Sequence, residues 1–283
     1  MHEQTAAFIE STCPVDIFLS YSSGQITDWP HRLVSYDEAS MTQRKHALTF
    51  LLDSGANGHG AATAELLDAA ERLYPTHLMA TDTIAESENR RWEAVVDTAK
   101  RVSDFIDRLE SRSISPTLMI PLQPPHDEHY RYLQAEYPRQ ARQAYFAVGG
   151  LKNETAETQL EAIRALREEV GYQVNLHGLG FGSTETHITA LTDNPALLDS
   201  LDLSTPQQKV ANQELWGDAT LPDVEGDYRL TIEGRYVVAL TAHLAKAYST
   251  LHSSVGQEYP DARSGGDDTS VATTLTEYVV GDD

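Results

Sequence analysis

The chain has 283 residues, 40% of them hydrophobic, and its 43 Asp and Glu against 21 Lys and Arg give a formal net charge of −22. That apolar content buries a sizeable core and excludes disorder throughout, while the charge argues against any partner held mainly by attraction to phosphates. The single cysteine, Cys13, excludes an intramolecular disulfide and any zinc site built from two or more thiolates, which fits a reducing, cytoplasmic setting.

The acidic excess is spread along the chain rather than held in one tail, the composition of a surface that stays hydrated in concentrated salt; it predicts a halophilic setting. Met1-His2-Glu3-Gln4 lacks a basic segment followed by an apolar one, and no run approaches the ~18 apolar residues of a membrane span, so a soluble protein is expected.

Short apolar runs rich in β-branched or aromatic residues follow one another at 15–21, 48–53, 77–82, 117–123, 144–150, 174–180 and 197–203, and read as buried strands. Helical spacing lies between several of them: Trp92, Val95, Val96, Ala99, Val102, Phe105, Ile106 and Leu109 before the fourth run, and Leu160, Ile163, Leu166 and Val170 before the sixth. Strand ends at Asp53, Asp82, Gln123, Gly149, Gly178 and Asp199 are spaced as successive βα units are. With an eighth strand expected at 228–232 and a helix at 237–251, the pattern predicts an α/β fold, a (β/α)8 TIM barrel, over residues 1–258. A doubly wound open sheet is the alternative, since closure is not visible in a sequence. Residues 259–283, rich in Ser, Thr, Gly and Asp, are expected to be an acidic tail.

In such barrels the residues at the carboxyl ends of the strands converge on one mouth. Asp53-Ser54-Gly55 and Asp82 bring carboxylates there, Gly149-Gly150 a stretch of bare backbone, and Asp199 and Asp202 two more carboxylates. Each also has an ordinary structural use: an Asp after a strand caps a helix or a turn, Gly-Gly makes a loop, and His177 sits on an apolar run as a core histidine would.

Taken in order, these segments resemble the tRNA-guanine transglycosylase superfamily over about half of the chain. Asp53-Ser54-Gly55 is similar to the start of its Asp-Ser-Gly-Gly-Phe-Gln motif, Asp82 to a second base-reading aspartate, and Gln123 to the glutamine of its Val-Gln-Gly-Gly strand. Gly149-Gly150-Leu151 is like the Gly-Gly-Leu that holds the base through main-chain groups. Leu176-His177-Gly178-Leu179-Gly180 resembles Leu-Met-Gly-Val-Gly, with His177 in place of the methionine. Asp199 then falls at the family's nucleophilic aspartate.

The departures narrow what the resemblance implies. A Cys-x-Cys-x-x-Cys zinc site is impossible with Cys13 as the sole thiol, so neither metal nor other cofactor is expected; Pro-Thr-Arg is missing after Asp199, and Ala56-Asn57-Gly58 replaces Gly-Phe-Gln. Zinc-free members of the superfamily insert 7-deazaguanines into DNA. The resemblance therefore implies exchange of guanine in DNA for a 7-deazapurine such as preQ0 or preQ1, with Asp199 as nucleophile, Asp53 assisting base exchange, and a homodimer as in related enzymes. Ser54, Gly55, Asp82, Gln123, Gly149, Gly150, Leu151, His177 and Gly178 would bind the base.

The chemistry explains why carboxylates are needed. Base exchange on an unbroken strand requires attack at C1′ through an oxocarbenium-like transition state, and a carboxylate can carry the glycosyl intermediate. A second carboxylate must hold the purine's N–H donors and manage the exchanged proton. Asp202 competes with Asp199 as nucleophile, because strand alternation turns residues three apart to opposite faces. Arg90, Arg91, Arg139, Arg142, Lys152 and Lys209 are the candidates for a basic rim. The same reaction on tRNA, a catalytically silent nucleic-acid-binding barrel, and a metal-dependent hydrolase using His59, His177 and the aspartates are the alternatives.

Overall fold

Eight parallel strands close into a barrel in simple chain order, with helices packed outside. The structure, a computed structural model, describes residues 15–21, 31–45, 47–55, 62–151, 154–181 and 195–203. The strands are β1 (Asp16–Tyr21), β2 (His31–Ser35), β3 (Thr49–Asp53), β4 (His77–Met79), β5 (Thr117–Leu122), β6 (Tyr145–Val148), β7 (Asn175–Gly178) and β8 (Ser200–Leu203). Closure is made by β1 against β8, in the register Asp16 to Ser200 and Phe18 to Asp202. This TIM-like topology excludes the open doubly wound sheet.

Seven strands coincide with apolar runs of the sequence for one reason: a parallel strand between helices and barrel interior is buried on both faces, so neither set of alternate residues needs to be polar. Outward residues such as Leu19, Phe50, Leu52, Leu78, Ile120, Phe146, Val148 and Leu176 join the main core beneath the helices. Inward residues Phe18, Leu33, Leu51, Met79, Met119, Tyr145 and Ala147 form a second apolar cluster inside the barrel.

The eighth strand is not where the sequence pattern put it. It is β2, His31-Arg32-Leu33-Val34-Ser35, whose two apolar residues are too few to stand out; inside the barrel wall His31 and Arg32 are nonetheless buried, at 0% and 1% exposure. The barrel thus closes by Leu203, and the expected strand at 228–232, helix at 237–251 and tail at 259–283 lie outside the described residues.

The described helices are α1 (Met41–Lys45), α2 (Thr63–Leu73), α3 (Arg91–Leu109), α4 (His126–Glu136), α5 (Pro138–Ala141) and α6 (Ala156–Val170). α3 buries Val95, Ala99, Val102, Phe105 and Ile106 as its spacing predicts, but Trp92 in its first turn stays 47% exposed, its ring edge-on to Tyr132. α6 starts at Thr155, whose Oγ1 accepts the Thr158 N–H, and buries Leu160, Ile163 and Leu166. None of the described helices is long and apolar enough to cross a membrane.

Candidate active site at the barrel mouth

The strand directions bring Asp53, Asp82, Gln123, Gly149 and Asp202 to one end of the barrel, the carboxyl-terminal mouth. Asp53 is the last residue of β3 and points inward; the Ser54 and Gly55 N–H groups donate to its carboxylate. Burial, then the charges of Asp82 and Asp202, push its pKa up to about 7, so the carboxyl is about half protonated near neutral pH. Ser54 is buried, and Gly55, at φ 72°, makes the turn that leads away from the mouth.

Asp82 follows β4 by three residues. Burial raises its pKa to about 6 against the lowering effect of its own backbone N–H and of the Gln123 side chain, which donates Nε2 to Oδ2 at 2.7 Å. Its other oxygen, Oδ1, is buried and accepts no hydrogen bond, nor do the neighbouring hydroxyls of Thr81 and Thr83 have partners. A buried acceptor without a donor is costly, and such atoms concentrate where a ligand supplies the missing hydrogen.

Two histidines absent from the sequence reading hold this edge from behind. His129 Nδ1 accepts the Gln123 N–H at 2.9 Å, and His126 Nε2 donates to the Gly149 carbonyl at 2.7 Å. Burial depresses both pKa values, to about 3 and about 4, so each imidazole is neutral at physiological pH and keeps its fixed role. Their signal in the sequence is spacing: residues i and i+3 on α4 face the same side, here the ends of β5 and β6.

Gly149 N–H donates to Leu122 O, so with His126 on its carbonyl this residue is tied into the barrel, and Gly150 is the next backbone unit along the mouth. Gly150 has φ 73°, and a Cβ there would meet Pro124 Cδ at 2.8 Å and Gln123 Oε1 at 3.3 Å. Gly150→Ala is therefore expected to destabilise the fold by about 1–3 kcal/mol and to displace Gln123 from Asp82; denaturant unfolding measures the first effect. Leu151 packs in the core, and Gly178 is closed in, since a Cβ there would meet Leu198 Cδ1 at 2.8 Å.

Asp202 lies within β8 and Asp199 just before it, so Asp199 is not at the mouth where the sequence pattern put it. Asp199 precedes the strand: its N–H donates to Leu176 O and its carbonyl accepts from Asp16 N, at the amino-terminal floor of the barrel. Its Oδ2 accepts from Arg167 Nη2 at 2.9 Å and from Leu176 N at 2.7 Å, a structural tie to a buried arginine. Asp202, two residues into the strand, is 8% exposed; Ser20 Oγ donates to its Oδ2 and Gly180 N to its Oδ1, each at 2.6 Å. His177 is wholly buried within the barrel wall, its Nε2 3.6 Å from Asp202 Oδ1.

The expected basic rim is largely neutralised. Arg90 is paired with Glu86 and Glu93, Arg91 with Glu88 and Glu154, and Arg139 with Asp107 and Glu110, while Arg142 Nε donates to Pro138 O. Lys152, Lys209, His59 and Ala56-Asn57-Gly58 lie outside the described residues. Among the described residues no group of three or more His, Cys, Asp and Glu side chains is gathered as a metal site requires.

What fold and site together define is a parallel eight-stranded barrel with an acidic mouth, in which two carboxyls have pKa values near neutrality. No protein-family model matches the chain, and no curated protein matches it.

Proposed function

We propose that the protein is a base-exchange transglycosylase, a pentosyltransferase that replaces guanine in DNA by a 7-deazapurine of the preQ0 or preQ1 type. The observation that carries this reading is the trio Asp53, Asp82 and Asp202 at one mouth, with Asp53 and Asp82 raised to about 7 and about 6. Groups that titrate near the working pH are what proton exchange between a leaving and an entering base requires.

In this reading an oxygen of Asp202 attacks C1′ and forms the glycosyl ester. The C1′–N9 bond breaks with its electron pair leaving on guanine, which takes a proton from the protonated form of Asp53. The entering base then gives its N9 proton back to Asp53 and attacks C1′, releasing the Asp202 carboxylate. Asp82 Oδ1, buried without a donor, accepts from the purine's N–H edge, with Gln123 holding the other oxygen. Gly150 supports the flat ring from the adjoining backbone. A base stacked in a duplex must first be flipped out or presented single-stranded. Because Arg90 and Arg91 are paired with carboxylates, binding in this reading rests on shape and base contacts more than on phosphate charge, which suits concentrated salt.

The test is incubation of the protein in several molar salt with guanine-containing DNA or tRNA and radiolabelled preQ0 or preQ1, followed by nucleoside analysis of each polymer. Label in DNA is the expected result. Label in tRNA alone selects the same chemistry on the other polymer, and label in neither, with the protein folded, overturns base exchange.

A further inference from the structure

Barrel interiors are ordinarily filled by layers of branched aliphatic side chains. Here, beside the apolar cluster of Phe18, Leu33, Leu51, Met79 and Met119, the interior also carries rings and hydroxyls: the His31, His77 and His177 rings all lie against Phe18, and His77 lies edge-on to Tyr145. Within this layer runs a chain of short hydrogen bonds, Tyr145 Oη to Ser200 Oγ at 2.6 Å and Ser200 Oγ to His177 Nδ1 at 2.7 Å. Ser200 and His177 are 0% exposed and Tyr145 is 6% exposed, so the chain is sealed from water. Its far end, His177 Nε2, makes no hydrogen bond and lies 3.6 Å from Oδ1 of Asp202.

The direction of the protons follows from what faces the two ends of the chain. Burial pushes the Tyr145 phenol above its ordinary pKa, so it keeps a proton to give to Ser200. Ser200 has one proton and two lone pairs; that proton goes to His177 Nδ1, because the reverse tautomer, an Nδ1–H donating to Ser200, would turn the bare Nε2 lone pair toward the Asp202 carboxylate. The imidazole proton is then on Nε2, the atom facing Asp202.

We propose that Tyr145, Ser200 and His177 form a tautomer-fixing chain that aims the His177 Nε2–H at Oδ1 of Asp202, making His177 a positioning residue for the mouth carboxylate. The arrangement leaves Oδ2 to Ser20 and Oδ1 to Gly180 N, with the His177 Nε2–H facing Oδ1 at 3.6 Å as an electrostatic rather than a hydrogen-bonded neighbour, so the carboxylate is held from beneath as a base enters. The kinetic consequence rests on the base-exchange reading; the tautomer rests on the barrel geometry alone.

Nitrogen-15 NMR of the whole protein with labelled histidine, the His177 signals assigned through His177→Gln, reads the tautomer directly. Expected is a protonated Nε2 with an unprotonated Nδ1, lost in Ser200→Ala; a protonated Nδ1 in the wild-type protein overturns the proposal. In the exchange assay His177→Leu is expected to lower kcat on the order of 10- to 100-fold with KM for the base little changed. His177→Gln, whose side-chain amide puts an N–H near the Nε2 position, recovers most of that loss. A folded His177→Leu protein with wild-type kcat overturns the positioning role. An Nε2–H tautomer in a wild-type protein that exchanges no base supports the chain and overturns the base-exchange reading.

Discussion

Asp202→Asn is expected to reduce base exchange by about 10³-fold or more while leaving the barrel folded, whereas Asp199→Ala is expected to leave the chemistry in place and weaken the fold. The two aspartates are three positions apart, but their surroundings differ in kind. Asp202 sits inside the mouth with Ser20, Gly180 and His177 directed at it. Removing its nucleophilic oxygen removes the covalent route, and an Asn keeps the volume and an acceptor for Ser20 or Gly180. Asp199 ties the 3% exposed Arg167 guanidinium to the Leu176 amide at the other end of the barrel. Truncating it strips one partner from a buried charge, at a cost of about 1–3 kcal/mol, softened because Arg167 also donates to the carbonyls of Leu197, Gly171 and Val174. Single-turnover exchange kinetics and urea unfolding of the two variants separate the effects. An Asp202→Asn protein that is folded and fully active removes the nucleophile assignment.

The second large effect is a gain in stability. Asp53 has its pKa raised to about 7 by burial and by the charges of Asp82 and Asp202. The folded chain therefore binds this proton more tightly than the unfolded chain does, and the benefit is fully present below the ordinary carboxylate range. It is lost as pH rises through about 7, where a charged Asp53 must be held beside two other carboxylates. Asp53→Asn removes that charge and keeps an acceptor for the Ser54 and Gly55 N–H groups. The variant is expected to be more stable than the wild type by on the order of 1–3 kcal/mol at about pH 8, and to lose this advantage below about pH 4. Base exchange falls together with this gain, because the proton-carrying group is gone. Thermal unfolding of both proteins across the pH range, in constant salt, reads the difference; curves that stay parallel at all pH values count against the raised Asp53 pKa. His77, His126 and His129, with depressed pKa values, act in the reverse sense, weakening the fold as pH falls below the ordinary histidine range. They are common to both proteins and cancel in the comparison.

Much of the barrel was legible in the chain itself. Parallel strands covered on both faces are near-continuous apolar runs, so β1 and β3 to β8 stand out, and alternation with the amphipathic segments of α3 and α6 indicates their connection. Asp53 and Gln123 were legible as mouth residues because each closes an apolar run, and in a parallel barrel the end of a run is the end of a strand at the mouth. β2 was not, because its inward His31 and outward Arg32 are buried through tertiary partners that a hydropathy pattern does not register. Nor were His126 and His129, which act on Gln123 and Gly149 across a helix-to-strand contact.

The sequence by itself thus determined the alternation of elements and the acidic character of the mouth, since both follow from local pattern. Only the tertiary structure decided which aspartate of the last strand belongs to that mouth. The run 197–203 is apolar enough to place a strand but does not say where it begins. That is set by pairing, His177 opposite Ser200 on one side and Asp16 opposite Ser200 on the other, which leaves Asp199 below the first rung and lifts Asp202 to the top. Register is a property of neighbouring strands, and across a strand of four residues a shift of three moves a carboxylate from one end of the barrel to the other.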